Sequence, residues 1–378
     1  MQLSYSDAQT LMADTVRPFL AEKAPVNHLR ALRDANDPTG FDRTLWKEFA
    51  EMGFIGILID EAHGGLALGH VEAGIVLEEI GRNLTPSPFL STAVGAVAAM
   101  TAGSEEQRAS WLPRIAAGEV IAALALDETA RHRPDRIALR AERSGNGFTL
   151  SGEKRFVAHG HVADLLVVAA RTAGSPGEKE GITLFAVEKG AANLSVQADR
   201  LVDSSVCARL SFDGVRVRAD AVIGDIDNGW RGLEQILGAM RAGAAAELVG
   251  VGGGAMDMTM GYLKERKQFG RPIGSFQALQ HRAAHLYAEM EIARAAALKA
   301  QRLLDAGDPA AEQAVLVAKG FAGHASALAV RESVQMHGGI GMTDEYDVGL
   351  FMKRQRVLAE MFGDADFHAD QLARLSGY

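Results

Sequence analysis

The sequence predicts an α+β protein with a helical N-terminal domain over 1–119, a β-barrel-like middle domain over 120–225 and a C-terminal four-helix bundle over 226–378. Three observations carry that expectation. Capped segments with apolar spacing fill the first part of the chain. Near Val120 the pattern changes to short β-type runs, and after Asp227-Asn228-Gly229-Trp230 it returns to helix.

Ser6 with Gln9 reads as a capping box opening a helix through about Ala21, which Pro18 would enter or kink. Asp42 caps a second helix with Leu45, Trp46, Phe49 and Met52 on one face, ended by Gly53. Gly64-Gly65 marks a loop, a helix follows from about His70 to Arg82, and Ser104 with Gln107 repeats the capping box. IAALAL, RIALRAE, GFTLSGE, DLLVVAAR and GITLFAVE then read as strands, with Ser144-Gly145-Asn146-Gly147 as a hairpin. Beyond Trp230, helices are expected over 230–267, 275–305, 309–337 and about 345–374, with Asp308-Pro309 starting one and Gly338-Gly339 ending one. No strand precedes GVGGGAM (250–256), so this tract reads as close helix–helix approach and not as a phosphate loop.

Composition narrows the function. At 378 residues the chain can bury more than one core, and 48% apolar with 23% charged residues is ordinary for a globular protein. Lys and Arg number 39 against 48 acids, a formal charge of -9, which argues against nucleic acid as a partner. The single cysteine, Cys207, leaves no internal disulfide framework and fits a reducing compartment. MQLSYSDAQTLMADTV has neither a basic n-region nor an apolar h-region, and the alanine-rich segments are broken by Gly, Glu and Arg. A cytoplasmic protein that neither spans a membrane nor binds nucleic acid is expected.

The stretch richest in chemistry is Tyr262–Gln280, YLKERKQFGRPIGSFQALQ. Gly270 and Pro272 stop a helix there, Arg266 offers a planar fork of donors suited to phosphate oxygens, and Gln268 and Gln277 place amides on either side of the break. From these residues alone the corner is either an anion-binding element or a solvated helix end. His281 and His285 have metal spacing but lack a third ligand, so no metal site is expected. RHRPDR (131–136) is either a solvated turn or a contact for ligand phosphates.

ERKQFGRPIGSFQ resembles the C-terminal signature of the acyl-CoA dehydrogenase family. The order Trp46, Gly53, Gly56, His63-Gly64-Gly65, Glu78-Glu79-Ile80-Gly81-Arg82 and WLPRIAAGE resembles the family's N-terminal domain. Gln335-Met336-His337-Gly338-Gly339-Ile340-Gly341 is similar to its Gln-x-x-Gly-Gly-x-Gly run. The resemblance covers essentially the whole chain. It implies α,β-dehydrogenation of an acyl-CoA thioester with FAD, a homo- or hetero-tetramer, and electron-transfer flavoprotein as acceptor. It also implies that the 262–280 segment reaches FAD held mainly by a neighbouring subunit. Arg266 would then meet the pyrophosphate, and Gln268, Phe269 and Gln277 would line the ribityl and adenosine path. Gln335, Gly338 and Gly339 would meet the adenosine diphosphate half, and Arg241 would lie near the CoA moiety.

Dehydrogenation needs a carboxylate beside the α-carbon, with its pKa raised by a dry pocket. The resemblance places the family's glutamate at one of two positions, and here those are Phe362 and Met240. Glu247 shares a helix face with Met240 about 10 Å further along the axis; it is the remaining catalytic candidate or the partner of a buried Arg or Lys. Where the family has Thr-Glu-Pro and then Gly-Ser-Asp, this chain has Leu126-Asp127-Glu128-Thr129 running on to Pro134. A Trp-x-Thr-Asn strand over the flavin ring becomes Phe156-Val157-Ala158-His159, without the indole N–H and the hydroxyl. The chain is therefore expected to be the base-less small subunit of a heteromeric acyl-CoA dehydrogenase, of the pimeloyl-CoA or steroid-CoA type. Left open are a self-sufficient homotetramer using Glu247, a flavin-dependent monooxygenase on the same fold, and a non-enzymatic scaffold.

Overall fold

Helices begin where short polar side chains can satisfy the first free amides. In the computed structural model, which describes residues 3–378, Ser6 Oγ accepts from the Gln9 amide at 3.2 Å and Gln9 Oε1 from the Ser6 amide at 3.0 Å. This box opens α1 (Asp7–Lys23), which carries Pro18 inside it and runs two residues past the expected end. It is followed by α2 (Val26–Asp34), α3 (Arg43–Glu51), capped by Asp42, α4 (His70–Asn83), α5 (Val97–Met100) and α6 (Glu105–Ala116). At α6 the second capping box is present, and the Gln107 amide also donates to the carbonyls of Asp220 and Val222 at 2.8 and 2.9 Å.

The β-type runs form β1 (Ala122–Ala125), β2 (Arg140–Ser144), β3 (Gly147–Ala158), β4 (Leu165–Arg171), β5 (Ile182–Glu188), β6 (Leu194–Arg200), β7 (Val206–Arg218) and β8 (Val222–Ile223). Helix α7 (Trp230–Glu265) follows, then the short strands β9 (Lys267–Gln268) and β10 (Arg271–Pro272). The chain ends with α8 (Gln277–Asp305), α9 (Ala311–His337), α10 (Val348–Glu360) and α11 (Ala365–Leu375). Along the chain the fold has helical ends and a central sheet, as expected.

The chain divides into two compact units. One takes in the described part of Met1–Ala31 with Gly69–Pro86 and Arg241–Tyr378; the other takes in Leu32–Leu68 and Ser87–Met240.

In the second unit the sheet runs β6-β7-β3-β2-β4-β5-β8, with β1 pairing parallel to β4. Gly145-Asn146 makes the two-residue turn between β2 and β3, Gly145 at φ 58°. The core is apolar, with Phe148 and Phe185 in edge contact at 5.2 Å between ring centroids. At the end of β4 the buried Arg171 donates to the carbonyls of Asp135, Ile137, Ala173, Glu178 and Glu180, tying two loops to the sheet.

In the first unit, α4, α8, α9, α10 and α11 pack with the C-terminal part of α7. The glycines of 250–256 act as packing residues. A Cβ on Gly250 would stand 1.8 Å from the Glu78 carbonyl oxygen, and one on Gly81 2.1 Å from that of Glu247, so α4 and α7 cross backbone to backbone. Residues 311–342 are long and apolar enough to cross a membrane, a property the sequence reading did not credit to any segment. Half of that apolar window is buried within the protein, and α9 carries the buried Lys319, Ser326 and Ser333, which marks a bundle-core helix.

Candidate functional site

The 262–280 segment is a hairpin, not a simple helix end. Helix α7 stops at Glu265 because Lys267-Gln268 pairs antiparallel with Arg271-Pro272 and the Ile273 amide donates to the Arg266 carbonyl at 2.8 Å. Phe269 and Gly270 form its two-residue turn at φ 53° and 78°. Phe269 is 91% exposed, and its ring meets only the edge of Phe276 among the described aromatic rings, at 6.1 Å between centroids. The Arg271 guanidinium sits 4.1 Å from the Phe276 ring centre, which props the hairpin against the start of α8. Arg266, Gln268 and Gln277 are exposed around this turn.

The second group lies at the end of α9. Gly338 has φ 68° and ψ −141°, a conformation open only to glycine in practice, and among the described residues, adjoining ones aside, no atom lies within 4 Å of a Cβ built on Gly338 or Gly339. Gln335 is exposed one turn earlier. Three rings join the two groups: Tyr262 lies 4.5 Å from His337 and 6.0 Å from Tyr346, and His337 lies 4.8 Å from Tyr346. His337 Nδ1 faces the Ser333 carbonyl at 2.7 Å, and burial lowers the pKa of the ring, favouring neutral imidazole in the stack. Arg266, Gln268, Phe269, Gln277, Gln335, Gly338 and Gly339 therefore gather at one end of the helical unit. This aromatic joint was not anticipated from sequence, because its three members come from separate segments.

The third group surrounds position 362. Phe362 is 9% exposed and sits at φ 61°, with Gly363 after it at φ 104°. Arg241 Nε donates to the Phe362 carbonyl at 3.0 Å, and its guanidinium lies 5.4 Å from the Phe367 ring centre. Lys319, wholly buried, donates to the carbonyls of Ala359 and Gly363 at 2.9 and 3.1 Å. Sequence reading passed over Lys319; the one available signal was a lysine in the apolar run Val315-Leu316-Val317-Ala318. Glu247 lies elsewhere. It is 2% exposed and its carboxylate accepts from Arg354 Nε at 3.0 Å and from the same guanidinium's Nη2, the partner type the sequence reading named.

In the sheet unit, Met240 is 1% exposed and its Sδ would stand 2.5 Å from a Cβ on Gly95. Glu128 is committed to structure: it accepts from Lys154 Nζ at 2.7 Å and from the amides of Ala138 and Leu139 at 2.8 and 3.0 Å. Asp127 pairs with His132 Nδ1 at 2.8 Å within the 131–136 turn. Phe156, half exposed at φ 54°, stands where β3 and β7 slip register between Lys154 and Val157. His281 and His285 are exposed, and His285 faces Glu289 at 3.3 Å.

Comparison with known proteins agrees with this architecture along the chain. The profiles of the acyl-CoA dehydrogenase N-terminal, middle and C-terminal domains match residues 6–119, 128–215 and 227–376. A cyclohex-1-ene-1-carbonyl-CoA dehydrogenase of Geobacter metallireducens is 32% identical over 92% of this chain and 92% of its own. A structure of the Tcur3481-Tcur3483 steroid ACAD superposes with a TM-score of 0.89 at 31% identity, over 98% of both chains. The ChsE4-ChsE5 complex from Mycobacterium tuberculosis gives 0.89 at 26% identity, over 100% of this chain and 99% of the other.

Proposed function

The chain belongs to the acyl-CoA dehydrogenase family of FAD-using oxidoreductases acting on CH–CH bonds, and from that premise we propose that it is the subunit without the catalytic glutamate, lending its arm to a partner's FAD. The observation that carries this reading is a contrast inside one unit. The groups suited to an adenosine diphosphate moiety are presented outward: the Arg266 fork, the amides of Gln268 and Gln277, the Phe269 ring, and backbone at Gly338-Gly339 that a ligand can approach without meeting a side chain. The position for a base is instead filled by the buried ring of Phe362.

These residues fit the diphosphate half of FAD; Phe156 and Ala158 supply neither an indole N–H nor a hydroxyl at the ring half. When bound, the flavin supplies hydride acceptance. In this reading Arg266 balances pyrophosphate charge, Gln268, Phe269 and Gln277 order the ribityl and adenosine path, Gln335 and the Gly338-Gly339 backbone hold the diphosphate, and Arg241 orients the CoA side of an acyl thioester. The proton is taken by a carboxylate of the partner chain. Glu247 is a poor substitute, because its carboxylate is already engaged by the Arg354 guanidinium.

The steroid ACAD and the ChsE4-ChsE5 complex among the structural relatives favour assembly with another acyl-CoA dehydrogenase chain and a steroid-type acyl-CoA substrate. The hetero-tetramer, the dicarboxylic alternative, electron-transfer flavoprotein as acceptor and the cytoplasm complete the reading from the family resemblance. The test is turnover. The chain purified alone should not reduce an electron acceptor with acyl-CoA, and co-expression with its partner should produce both bound flavin and activity. Full turnover by the chain alone would refute the reading.

A further inference from the structure

A buried lysine needs a reason, since an apolar side chain of equal volume fills a helix core without the cost of desolvating an ammonium. Lys319 lies in α9 and is 1% exposed. Its Nζ donates to the Ala359 carbonyl at 2.9 Å, in the last turn of α10, and to the Gly363 carbonyl at 3.1 Å, just before the α11 cap. Between those carbonyls the chain reverses through the positive φ of Phe362 and Gly363, 61° and 104°, a conformation that the bulky Phe362 adopts only under constraint. Arg241 Nε reaches the Phe362 carbonyl from α7 at 3.0 Å. Two basic side chains on two helices thus hold three carbonyls of one five-residue turn.

We infer that Lys319 is a positioning residue: through the Ala359 and Gly363 carbonyls it fixes the 359–363 turn, and with it the Phe362 ring and the Arg241 guanidinium that face the acyl thioester. The last clause rests on the proposed function; the fixing of the turn does not. The charged groups around Lys319 are Arg241 from α7, Glu360 at the end of α10 and Asp364 at the cap of α11, while His368 packs against the neighbouring Gly320, its Cβ 3.5 Å from a Cβ position there. Burial, and then the Arg241 charge, push the amine down to about 7, against the pull of Glu360 and Asp364. Below that pH the buried amine must carry a charge that its surroundings penalise, so the turn opens more readily; above it the neutral amine still donates and the turn tightens.

Hydrogen exchange over residues 357–368 tests this in the full chain, without flavin or substrate, so failure of the dehydrogenase reading leaves the readout intact. In the wild type, protection of the Met361 and Gly363 amides, corrected for intrinsic exchange, should rise about tenfold between about pH 6 and pH 8.5, because opening the turn lets the lysine regain its proton. Lys319→Met should lose that protection at both pH values while α8 peptides stay protected. Lys319→Arg, charged throughout, should restore it without a pH step. Unchanged protection in Lys319→Met, or a loss spread evenly over all helices, would overturn the inference. Should Lys319→Met fail to fold, the wild-type profile decides alone: the rise with pH supports it, and a flat or falling profile overturns it.

Discussion

Arg266 and Gly339 separate binding from folding. Arg266 is exposed on a hairpin, and a Cβ on Gly339 meets nothing within 4 Å. Arg266→Ala and Gly339→Ala should each change unfolding free energy by less than about 0.5 kcal/mol, while flavin retained by the partner complex falls sharply. The check is urea denaturation beside the absorbance of bound flavin. Gly338→Ala is the contrast, since its φ of 68° with ψ −141° adds about 1–3 kcal/mol of strain. Lys319 carries a pH signature as well. Its folded pKa, about 7, lies below the ordinary 10.5, so its contribution to stability is present above 10.5 and is lost as pH falls to 7. Relative to Lys319→Met, the wild type should therefore gain stability by about 1.4 kcal/mol per pH unit between those limits. Denaturation series at matched ionic strength would read the slope, and parallel curves would contradict it.

At the scale of elements, the crossing of α4 and α7 is made by glycine. Gly250→Ala places a methyl carbon where the Glu78 carbonyl oxygen stands 1.8 Å away, so the helices must part and the neighbouring pair of Glu78 with Arg294, at 2.9 Å, must shift. A loss of about 3 kcal/mol or more is expected; Gly261→Ala on the same helix, with nothing within 4 Å, should cost nothing and gain a few tenths. Midpoints of urea unfolding would compare the two. GVGGGAM was legible as packing because small residues in an apolar helix have few other uses. The caps at Ser6, Asp42 and Ser104 were legible because capping is local. The hairpin at 267–272 was not: its register depends on a backbone bond from Ile273 to Arg266, so sequence reading extended the helix to 267. The clamp on position 362 was illegible for a related reason. It joins Arg241, Lys319 and Phe362 from three distant segments, and no local pattern marks a lysine as the holder of another helix's carbonyls.

At the scale of the molecule, the exposed Phe269 and the adjoining polar groups form a surface with an apolar tip. A ring 91% exposed at the end of a hairpin suits a role in which another chain and its ligand cover it. If this chain lends its arm and holds no complete flavin site, assembly with a competent partner should give roughly one flavin for every two chains, because each flavin then draws on one site of each kind. Self-sufficiency predicts a flavin in every chain. The ratio of flavin absorbance to protein in the co-purified complex distinguishes them. Phe269→Ala in this chain should lower the ratio while the complex still elutes at its full size, since the ring's described aromatic contact is with Phe276 of the same arm. A complex with full flavin in both chains, indifferent to Phe269→Ala, would leave the lending arm without a function.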